Sequence, residues 1–549
     1  MNEAFSFFYG CNEDHIYVES DVRSHSHSGS HVRSHIDTYA PTLQKVKLWV
    51  SSLISLINEG DERDPIISLN SKFNNSRRKL MWSEEEIIEI MRTGEHINLE
   101  CKEAGNAIPN DVWETYSAFA NTYGGIILLG VRENLKEKNP KKRFILTGVN
   151  NPSQRMKDFW DSVNNNEKVN RNLLIDQDVK PVQFKDGPCI IVIHVPAADY
   201  SEKPVFINKN PYFGTYRRNF EGDYHCKEEE VKSMIRDSSD EPSDSLLLQN
   251  YGMEDVDLDT LHAYRNLFEV RNRGHIYNTY SDLEFLRQLG GYVKDRKTGD
   301  EGLSIAGLLM FGKGLSIRER FPLLAMDYLD QRGAVTDQRW TDRITLDGSW
   351  ENNLFNFVQK VLSKMTEDLK KPFMMEGITR IDESPVHQAV REALINMVIH
   401  ADYRTGGQLK VVRSSDGFLL SNPGNLKLPV IGIYSGGRTA ARNPKLQTMF
   451  RMIGFCENIG SGFPVILEAW KSNGWRRPDL KDRLQLHCVE LELSMIDQIP
   501  QQTLEKLENQ FGSKVYNLTE LEKIALVEIA AEERVSKFSL YQTLNVERG

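Results

Sequence analysis

Apolar and polar positions begin to recur with a clear period just after Trp82. Ser83 and the three glutamates that follow it form a capping signature, and apolar residues then recur at helical spacing up to Gly94, which predicts a short helix. The segments HINLECK, IILLGV, PVQF and CIIVIHVP read as strands, DVWETYSAFANT reads as a helix, and a last helix is predicted near 227–236. Together these elements predict an α+β unit.

The pattern changes at the acidic, Ser-rich segment SSDEPSDS near 238–245, which predicts a linker. Beyond it, DTLHAYRNLF, SDLEFLRQLGG and LFNFVQKVLSKMTEDL have helical periodicity, FPLLAMDYL reads as a strand, and LSIAGLLMFGK reads as a buried strand or the start of a helix. HQAVREALINMVIHADYR predicts a long helix, and two strands are predicted at 409–412 and 418–420. The tail from 500 to 549 contains LTELEKIALVEIAAEE and KFSLYQTLN, two predicted helices that could form a partial helix-turn-helix.

The first 78 residues read as an appendage to these units. A polar tract, SHSHSGSHVRSH, precedes the amphipathic segment LQKVKLWVSSLISLI, which predicts one helix. Histidines two or four residues apart can bind transition metals, but no carboxylate or cysteine completes a ligand set here. A solvated linker or an oligomerisation arm is therefore the simpler interpretation of the tract.

Composition narrows the classes of protein to which the chain can belong. Hydrophobic residues make up 40% and charged residues 27% of the sequence, and no run approaches the ~18 apolar residues that a membrane helix needs. The segment MNEAFSFFYGCNEDHIYVES has acids where a secretory signal has basic residues, so we expect a cytoplasmic protein with no membrane partner. The six cysteines form no C-x-x-C pair, which argues against a zinc knuckle or a redox motif.

The net charge of −10 argues against a protein that binds polyanions over its whole surface, because phosphate affinity comes from clustered lysines and arginines. Any nucleic-acid surface must therefore be local. Basic clusters do occur at Lys141, Lys142 and Arg143, and again at Arg217 and Arg218. These five residues are the predicted nucleic-acid contacts, and a solvated edge strand is the alternative for the last two.

Three acids and a lysine surround two predicted strands of the first unit. Glu95 and Glu100 lie five residues apart, Lys102 is two residues beyond Glu100 and so on the same strand face, and Glu133 follows the strand IILLGV. If the strand ends lie side by side, the carboxylates could bind Mg²⁺ or Mn²⁺ and the lysine could offset phosphate charge, as a metal-dependent nuclease requires. Because Glu and Lys are abundant in this chain, solvated surface groups are the alternative.

The run E-x-x-x-x-E-x-K, followed by SAFANTYGG and LLGVRE, resembles the Schlafen AlbA-like domain. That family has Glu, four residues, Glu, Phe, Lys, then A-x-A-N-T-x-G-G and I-G-V-D-D. The resemblance implies that Glu95, Glu100 and Glu133 form the metal site of a nuclease, with Lys102 beside them. The chain departs from the family in having Cys101 in place of Phe and Arg-Glu in place of two aspartates, and many bacterial relatives are described only as nucleic-acid binders.

Two further segments match the same family. GTYRR resembles its late strand with exposed arginines, which supports Arg217 and Arg218 as phosphate contacts. The pair Gly124 and Gly125 lies at the predicted helix-to-strand junction, where a tight turn with positive φ is the simplest reason for glycine.

The long helix HQAVREALINMVIHADYR carries a polar stripe. Glu392, Asn396 and His400 are spaced four residues apart and therefore share one face. A stripe of this kind is unusual in a core helix, because each buried polar group needs a partner. Simple exposure of the three side chains is the alternative.

The pattern E-x-x-x-N is the N-box of the GHKL ATPases, the superfamily that includes DNA gyrase and histidine kinases, and SNPGNL, RNPKL and ENIGSGFPVI follow in the family's order. A glycine-rich turn before a helix can present backbone N–H groups to phosphates. The order closely resembles the divergent GHKL domain that follows AlbA-like domains in helicase-related proteins. The resemblance implies ATP with Mg²⁺, bound by Glu392, Asn396, Asn422, Gly424, Gly460 and Gly462.

Individual roles follow from the same resemblance. Asn396 would hold Mg²⁺, Glu392 would orient the attacking water, and Asn422 would face the adenine. Asn422 lacks the carboxylate that usually accepts the adenine amino hydrogen, so the identity of the nucleotide stays open. His400 and Asp402 are expected to be structural or to contact the ligand.

Since one hydrophobic core stops growing at about 250–300 residues, a chain of 549 residues must form several domains. We predict an α+β multi-domain protein. Its segments are a partly disordered appendage (1–78), a Schlafen AlbA-like α/β domain (79–237), a middle α/β domain (246–375), a GHKL-like α/β sandwich (376–497) and a short helical C-terminal tail (498–549).

These readings predict a nucleic-acid-binding protein with an ATP-binding module. We expect a metal-dependent Schlafen-like nuclease that acts on RNA, tRNA or DNA, is controlled by nucleotide binding or by assembly into a homo-oligomer, and serves stress or phage defence. The alternative is a non-catalytic, ATP-responsive DNA-binding transcriptional regulator, which the helical tail favours.

Overall fold

The computed structural model of the chain describes residues 7–12, 15–20, 82–93, 98–134, 137, 143–185, 187–219, 222–239, 241–334, 339–369, 374–376, 379–381, 383–437, 440–456, 462–484, 486–511, 515, 518, 523–524, 526–527 and 534–536. The predicted amphipathic helix and His/Ser tract of the appendage lie outside these residues, as do most residues of the two predicted tail helices. The chain divides into two compact units: Met1–Asn70 with Trp470–Arg477 and Ser494–Gly549, and Ser71–Ala469 with Pro478–Leu493.

The first described elements are two strands and a helix. Strands β1 (Phe7–Asn12) and β2 (His15–Ser20) pair antiparallel in the smaller unit. Helix α1 (Glu84–Thr93) begins the described part of the larger unit, and its N-terminus is capped as the sequence predicts. The Glu86 N–H donates to Ser83 Oγ at 3.2 Å, and the Ser83 N–H donates to Glu86 Oε2 at 2.7 Å, which satisfies two backbone donors of the first turn.

The next part of the larger unit is built on a four-stranded sheet. Its strands lie in the order β3 (Leu99–Lys102), β4 (Gly125–Leu129), β8 (Cys189–Val195) and β7 (Val179–Gln183). Strands β3 and β4 are parallel because helix α2 (Val112–Asn121) crosses between them, and β8 is antiparallel to both of its neighbours. The bounds are β3 (Leu99–Lys102), α2 (Val112–Asn121), β4 (Gly125–Leu129), β5 (Val131–Glu133), β6 (Phe144–Leu146), α3 (Pro152–Val163), β7 (Val179–Gln183), β8 (Cys189–Val195), α4 (Pro211–Gly214), β9 (Tyr216–Asn219), β10 (Gly222–His225) and α5 (Glu228–Asp237).

Helix α2 forms the core of this part of the chain. Nine of its residues are buried, and Tyr116, Phe119 and Phe159 are among the fully buried side chains around it. Trp113 stacks on Phe159 with ring centroids 5.2 Å apart. Burial on nearly every side makes α2 a central helix, which fixes the strands on either side of it.

The segment after α5 consists mainly of helices, one of which is fully buried. Its elements are α6 (Leu258–Arg271), α7 (Asp282–Leu289), β11 (Tyr292–Lys294), β12 (Glu301–Leu303), α8 (Ile305–Phe311) and α9 (Gly314–Arg320). The apolar run LSIAGLLMFGK, for which strand and helix were both open, forms α8, because Ser304 caps it: Ser304 Oγ accepts from the Gly307 N–H at 3.1 Å.

Among the described residues of the segment predicted as a linker, Asp244 is buried. Its Oδ2 accepts from the backbone N–H groups of Lys445 and Leu446 at 2.7 and 3.0 Å. These N–H groups belong to the first turn of a later helix, where four backbone donors have no partner inside the helix. Asp244 therefore caps that helix.

A six-stranded sheet in the order β14-β13-β17-β18-β20-β19 organises the rest of the larger unit. Strand β13 pairs in parallel with β17, so one sheet includes strands from both sides of the boundary predicted at residue 376. The bounds are β13 (Leu324–Asp330), β14 (Asp342–Ile344), α10 (Leu354–Thr366), β15 (Met374–Glu376), β16 (Thr379–Ile381), α11 (Pro385–His400), β17 (Gly407–Ser414), β18 (Gly417–Pro423), α12 (Val430–Ser435), α13 (Pro444–Met452), α14 (Gly462–Ser472), β19 (Asp479–Arg483) and β20 (Cys488–Ser494).

In the smaller unit, β21 (Arg534–Ser536) extends the β1-β2 pair to three strands, and α15 (Gln501–Phe511) precedes it in the chain. Trp470 is fully buried there and donates from Nε1 to the Ser494 carbonyl at 2.7 Å. Among the residues that the structure describes, no helix combines the length and the apolar character needed to cross a bilayer. The chain has a mixed α/β, multi-domain architecture with several sheets, which confirms the predicted α+β class.

Candidate functional site

Glu100 and Lys102 lie on one face of β3, as the strand period requires. Glu100 is buried, and its Oε1 lies 2.8 Å from Lys102 Nζ. Lys102 Nζ also lies 2.7 Å from Asp111 Oδ2, a partner that the sequence did not indicate. Burial alone would lower the pKa of Lys102, but the hydrogen bonds and charges of Asp111 and Glu100 outweigh it and raise this pKa.

The second oxygen of Glu100 is held by Arg218. Arg218 Nη1 lies 2.8 Å from Glu100 Oε2 and 2.9 Å from Asp223 Oδ1, and Nη2 donates to the Leu99 carbonyl at 3.1 Å. The Arg218 side chain is 1% exposed. The prediction of two exposed arginines on this strand is therefore wrong for Arg218, whose guanidinium is an internal counterion of the acidic cluster.

The fold places Arg218 there through a β-ribbon and a helix. Strands β9 and β10 pair antiparallel with Arg218 opposite Asp223, and the Thr115 hydroxyl of α2 donates to Asp223 Oδ2 at 2.7 Å. The Arg218 N–H donates to Thr122 Oγ1 at 2.9 Å, and its guanidinium lies 5.2 Å from the Phe119 ring centroid. Burial alone would lower the pKa of Arg218, but the carboxylates of Asp223 and Glu100 raise it.

Glu133 is engaged by a different arginine. It ends β5, and Arg143, which directly precedes the paired strand β6, forms an ion pair with its carboxylate. Arg143, predicted to contact nucleic acid, thus has an acidic partner. Glu95, Lys141 and Lys142, which completed the predicted metal and nucleic-acid sites, lie outside the described residues.

These contacts decide how a divalent cation would fit. Each carboxylate oxygen of Glu100 already lies 2.8 Å from a cationic nitrogen, one from Lys102 and one from Arg218. Within the described ranges, no group of three His, Cys, Asp or Glu side chains is arranged to hold a metal ion. A divalent cation at this carboxylate would therefore have to displace Lys102 or Arg218 from it.

Arg217 faces the other side of the ribbon. Its Nη1 lies 2.7 Å from Glu230 Oε1, and Glu230 is a buried residue in the first turn of α5.

The helix-to-strand junction has the predicted tight turn: Gly124 has a φ of +75°, and a Cβ there would lie 2.8 Å from the Val195 carbonyl oxygen.

The polar stripe of α11 lies against a glycine from a distant segment. Asn396 Nδ2 donates to Glu392 Oε1 at 3.2 Å, and both side chains are partly exposed. A Cβ at Gly462 would overlap Glu392 Oε1 and come within 3.3 Å of Asn396 Nδ2. The backbone at Gly462 thus approaches these two side chains closely, and the fold joins the first and last predicted nucleotide motifs. Gly460 lies outside the described residues.

Helix α11 starts and stops at defined signals. Ser384 caps its N-terminus and Pro385 takes the first helical position, where its missing N–H costs nothing. At the other end, Asn443 Nδ2 donates to the Ile399 and Ala401 carbonyls at 3.0 and 2.7 Å. The RNPKL motif thus includes the residue that closes the helix, a role that its spacing alone did not reveal.

The end of β18 and the loop after it contain two residues of the predicted nucleotide site, Asn422 and Gly424. Asn422 is buried, and its Nδ2 donates to the Pro423 carbonyl at 3.3 Å. Gly424 has a φ of +95°, and a Cβ there would lie 2.7 Å from Arg442 Nη1. The Gly424 N–H donates to the His487 carbonyl at 2.8 Å, which holds the loop on the β19-β20 hairpin.

His400 and Asp402 are surrounded by arginines. Burial, followed by the charges of Arg442 and Lys427, lowers the pKa of His400 to about 4, so its imidazole is neutral at neutral pH. Burial would raise the pKa of Asp402, but Arg236 and Arg442 outweigh it and lower this pKa. The polar stripe therefore ends in a neutral histidine, and an ionised aspartate follows two residues after it.

The close approach of Gly462 to Glu392 and Asn396, and the positive φ of Gly424, fit a nucleotide-binding loop in which backbone comes close to a ligand. Family comparisons assign the regions that contain these features to a nucleic-acid-related, ATP-binding class of protein. Residues 95–229 match Schlafen AlbA_2, residues 406–491 match HATPase_c_4 (ATP-dependent DNA helicase recG C-terminal), and residues 232–327 match DUF8451, a domain of unknown function.

The chain therefore contains a Schlafen AlbA_2 domain and a C-terminal HATPase_c_4 domain, which confirms the resemblance inferred from its motifs. Among solved structures, the DIP2311 protein from Corynebacterium diphtheriae is similar over 88% of this chain and 92% of that chain, at 16% identity and a TM-score of 0.36. That likeness is too distant to support an argument. No curated protein matches the chain.

Proposed function

We propose that the chain is a nucleic-acid-binding protein whose binding is controlled by ATP at the HATPase_c_4 domain. The observation that carries the proposal is the packing of Gly462 against Glu392 and Asn396, which joins motifs far apart in the sequence. Bound Mg²⁺ would neutralise phosphate charge. The Asn396 side-chain oxygen would hold the ion and Glu392 would orient water. Asn422 would face the base, and Gly424 would shape the phosphate loop.

Titration calorimetry with ATP and Mg²⁺ on the full chain tests this proposal. We expect binding by the wild type and at least a tenfold loss of affinity, about 1.4 kcal/mol, in Asn396→Ala. Asn166→Ala is the matched control, because Asn166 is an exposed asparagine in another part of the chain. Absence of ATP binding in the wild type, or equal affinity in Asn396→Ala, would contradict the assignment.

For the Schlafen AlbA_2 domain, the proposal favours nucleic-acid binding without cleavage. Lys102 and Arg218 already neutralise both oxygens of Glu100, so this carboxylate serves as an anchor for a basic strand. Retention of labelled single-stranded and double-stranded oligonucleotides, with and without ATP, measures the activity. Equal retention of the oligonucleotides with and without ATP would contradict control by ATP.

Metal-dependent cleavage of RNA, tRNA or DNA is the second candidate. It is favoured by the position of Glu100 and Lys102 on one face of β3, in the order that the nuclease pattern requires. Incubation of the protein with each substrate, with Mn²⁺ or with EDTA, tests it. We would then expect cleavage to be lost in Glu100→Gln and kept in the exposed control Glu103→Ala.

Assembly into a homo-oligomer and a role in stress or phage defence stay proposals. Native mass spectrometry of the purified protein would give the mass of the assembly, together with any nucleotide or nucleic acid that purifies with it. A single mass equal to one chain at every concentration would contradict oligomerisation.

A further inference from the structure

Two ion pairs connect helix α5, which begins where the Schlafen AlbA_2 match ends, to residues just before the HATPase_c_4 match and within it. Asp237 is the last residue of α5, and Arg442 lies just before α13. Arg442 Nε lies 2.9 Å from Asp237 Oδ1 and Nη2 lies 2.8 Å from Asp237 Oδ2, so the pair is bidentate. Next to it, Arg236 Nη2 lies 2.8 Å from Asp402 Oδ2.

Burial makes these contacts different from surface ion pairs. The Arg442 side chain is 6% exposed and that of Asp402 is 5% exposed, whereas exposed pairs are weakened by solvent and salt. If one partner of a buried pair is removed, the other charge stays buried and uncompensated. The position of α5 and the position of Arg442 are therefore energetically linked.

Arg442 also shapes the predicted nucleotide site. Its Nη1 donates to the His400 carbonyl at 2.6 Å, one turn beyond Asn396 on α11, and its Nη2 donates to the Asn425 carbonyl at 2.8 Å. Its guanidinium packs so closely on Gly424 that a Cβ there would lie 2.7 Å from Nη1. One side chain thus holds the end of the polar helix, the loop after Asn422 and the end of α5.

The opposite end of α5 holds the arginine-bearing strand. Glu230 pairs with Arg217, and the next residue of β9 is Arg218, whose guanidinium contacts Glu100. A helix rises ~1.5 Å per residue, so the seven positions from Glu230 to Asp237 span roughly 10 Å of rigid backbone. A shift at either end of α5 is therefore transmitted to the other.

We propose that α5 is the element through which nucleotide binding and nucleic-acid binding influence each other, with Asp237 and Glu230 as its positioning residues at the two ends. This inference rests on the proposed function, since it assumes that both ligands bind. ATP that orders the loop at Asn425 fixes Arg442, Arg442 fixes Asp237, and Glu230 then fixes Arg217 on the nucleic-acid side. Thermodynamic linkage requires the effect to be equal in both directions.

The experiment measures the affinity of the full chain for a labelled single-stranded oligonucleotide pool, with and without a saturating non-hydrolysable ATP analogue and Mg²⁺. The ratio of the two affinities is the coupling. We expect a ratio of at least about fivefold in the wild type, and a ratio close to one in Asp237→Asn, which lacks the carboxylate that pairs with Arg442. The matched control is Asp259→Asn, an exposed aspartate on α6 that undergoes the same change of charge; it should keep the wild-type ratio.

A second variant covers the case in which Asp237→Asn does not fold, as judged by thermal melting. Glu230→Gln breaks the pair at the far end of α5, away from the nucleotide loop, and should also reduce the ratio. Wild-type coupling retained in either folded variant would overturn the proposal, as would a wild-type ratio of one with both ligands bound. If the wild type bound neither ligand, the proposed function itself would fail, and the coupling with it.

Discussion

Two glutamates of this chain belong to the acidic motifs predicted for the two domains, one on a strand and one on a helix, and they differ in their partners. Glu100 lies between the cationic nitrogens of Lys102 and Arg218. Glu392 accepts from the neutral amide of Asn396 and lies against the backbone at Gly462. A glutamate is thus an internal anchor in one domain. In the other it belongs to the cradle, the group formed by Glu392, Asn396 and Gly462. The identity of the partners, more than the acid itself, decides which chemistry an acidic motif can perform.

The largest effect is expected when Arg218, the internal cation beside Glu100, is removed. Arg218→Met should lower the free energy of unfolding by about 3–5 kcal/mol, because the buried Glu100 and the neighbouring Asp223 would lose the cation that they share. Urea denaturation measures the change. The control is Arg132→Met, whose side chain is 54% exposed and lies 3.9 Å from Glu103; its effect should stay within about 0.5 kcal/mol. Equal midpoints for both variants would show that Arg218 is no anchor.

The second test concerns His400, which is buried near the charges of Arg442 and Lys427. The folded pKa of His400 is lowered to about 4, below the usual 6.5, so the unfolded chain binds the proton first as pH falls. Stability should therefore be lost as pH falls from about 6.5 to about 4, by roughly 2–3 kcal/mol. His400→Gln should flatten this part of the pH profile, whereas the exposed control His262→Gln should leave it unchanged. A wild-type slope in His400→Gln would contradict the assignment.

The third test fills the cradle. In Gly462→Ala, the new methyl group displaces the end of the Glu392 side chain, which can rotate away, so stability should change by less than about 1 kcal/mol. ATP affinity should fall about tenfold, because the orientation of Glu392 is lost. Calorimetry measures the affinity, and Gly105→Ala is the control, since a Cβ there meets nothing within 4 Å. Unchanged ATP affinity in Gly462→Ala would remove the cradle from the nucleotide site.

The smallest expected effect comes from Asp244, a carboxylate held by neutral backbone donors. Burial raises its pKa to about 6, above the usual 3.8, so the folded state binds the proton first and stability should fall as pH rises through that interval. Asp244→Asn should abolish this slope and, because it weakens a helix cap, cost about 1 kcal/mol near neutral pH. Denaturation at several pH values measures the pH dependence and the loss of stability, with Asp259→Asn as the control. If Asp244→Asn kept the pH dependence of the wild type, another group would be its cause.

Elements with strong local signals could be predicted from the sequence. The helix Pro385–His400 has Ser at its cap, Pro at its first position and an apolar period along its length, and all three signals act within a few residues. The strand Gly125–Leu129 is a short apolar run after a glycine turn. The polar stripe was likewise predictable, because helical spacing alone places Glu392 and Asn396 together.

The partners of the charged residues could not be predicted, because they come from distant segments. Arg218 and Glu100 are separated by more than a hundred positions, and their pairing depends on how β9 lies over α2 and β3. One local signal was present: strand alternation places Arg218 on the same face as the apolar Tyr216, which is buried. The composition around Asp244 indicates solvent, and only the fold reveals the helix end that needs its carboxylate.

The shared sheet of β13 and β17 has a practical consequence for dividing the chain. A fragment that starts at residue 376 would lose β13 and leave β17 with an open row of amide and carbonyl groups from Gly407 to Arg413. Open edges of this kind template intermolecular pairing, so such a fragment should self-associate and precipitate on expression. Recombinant versions of the nucleotide module should therefore begin upstream of Leu324.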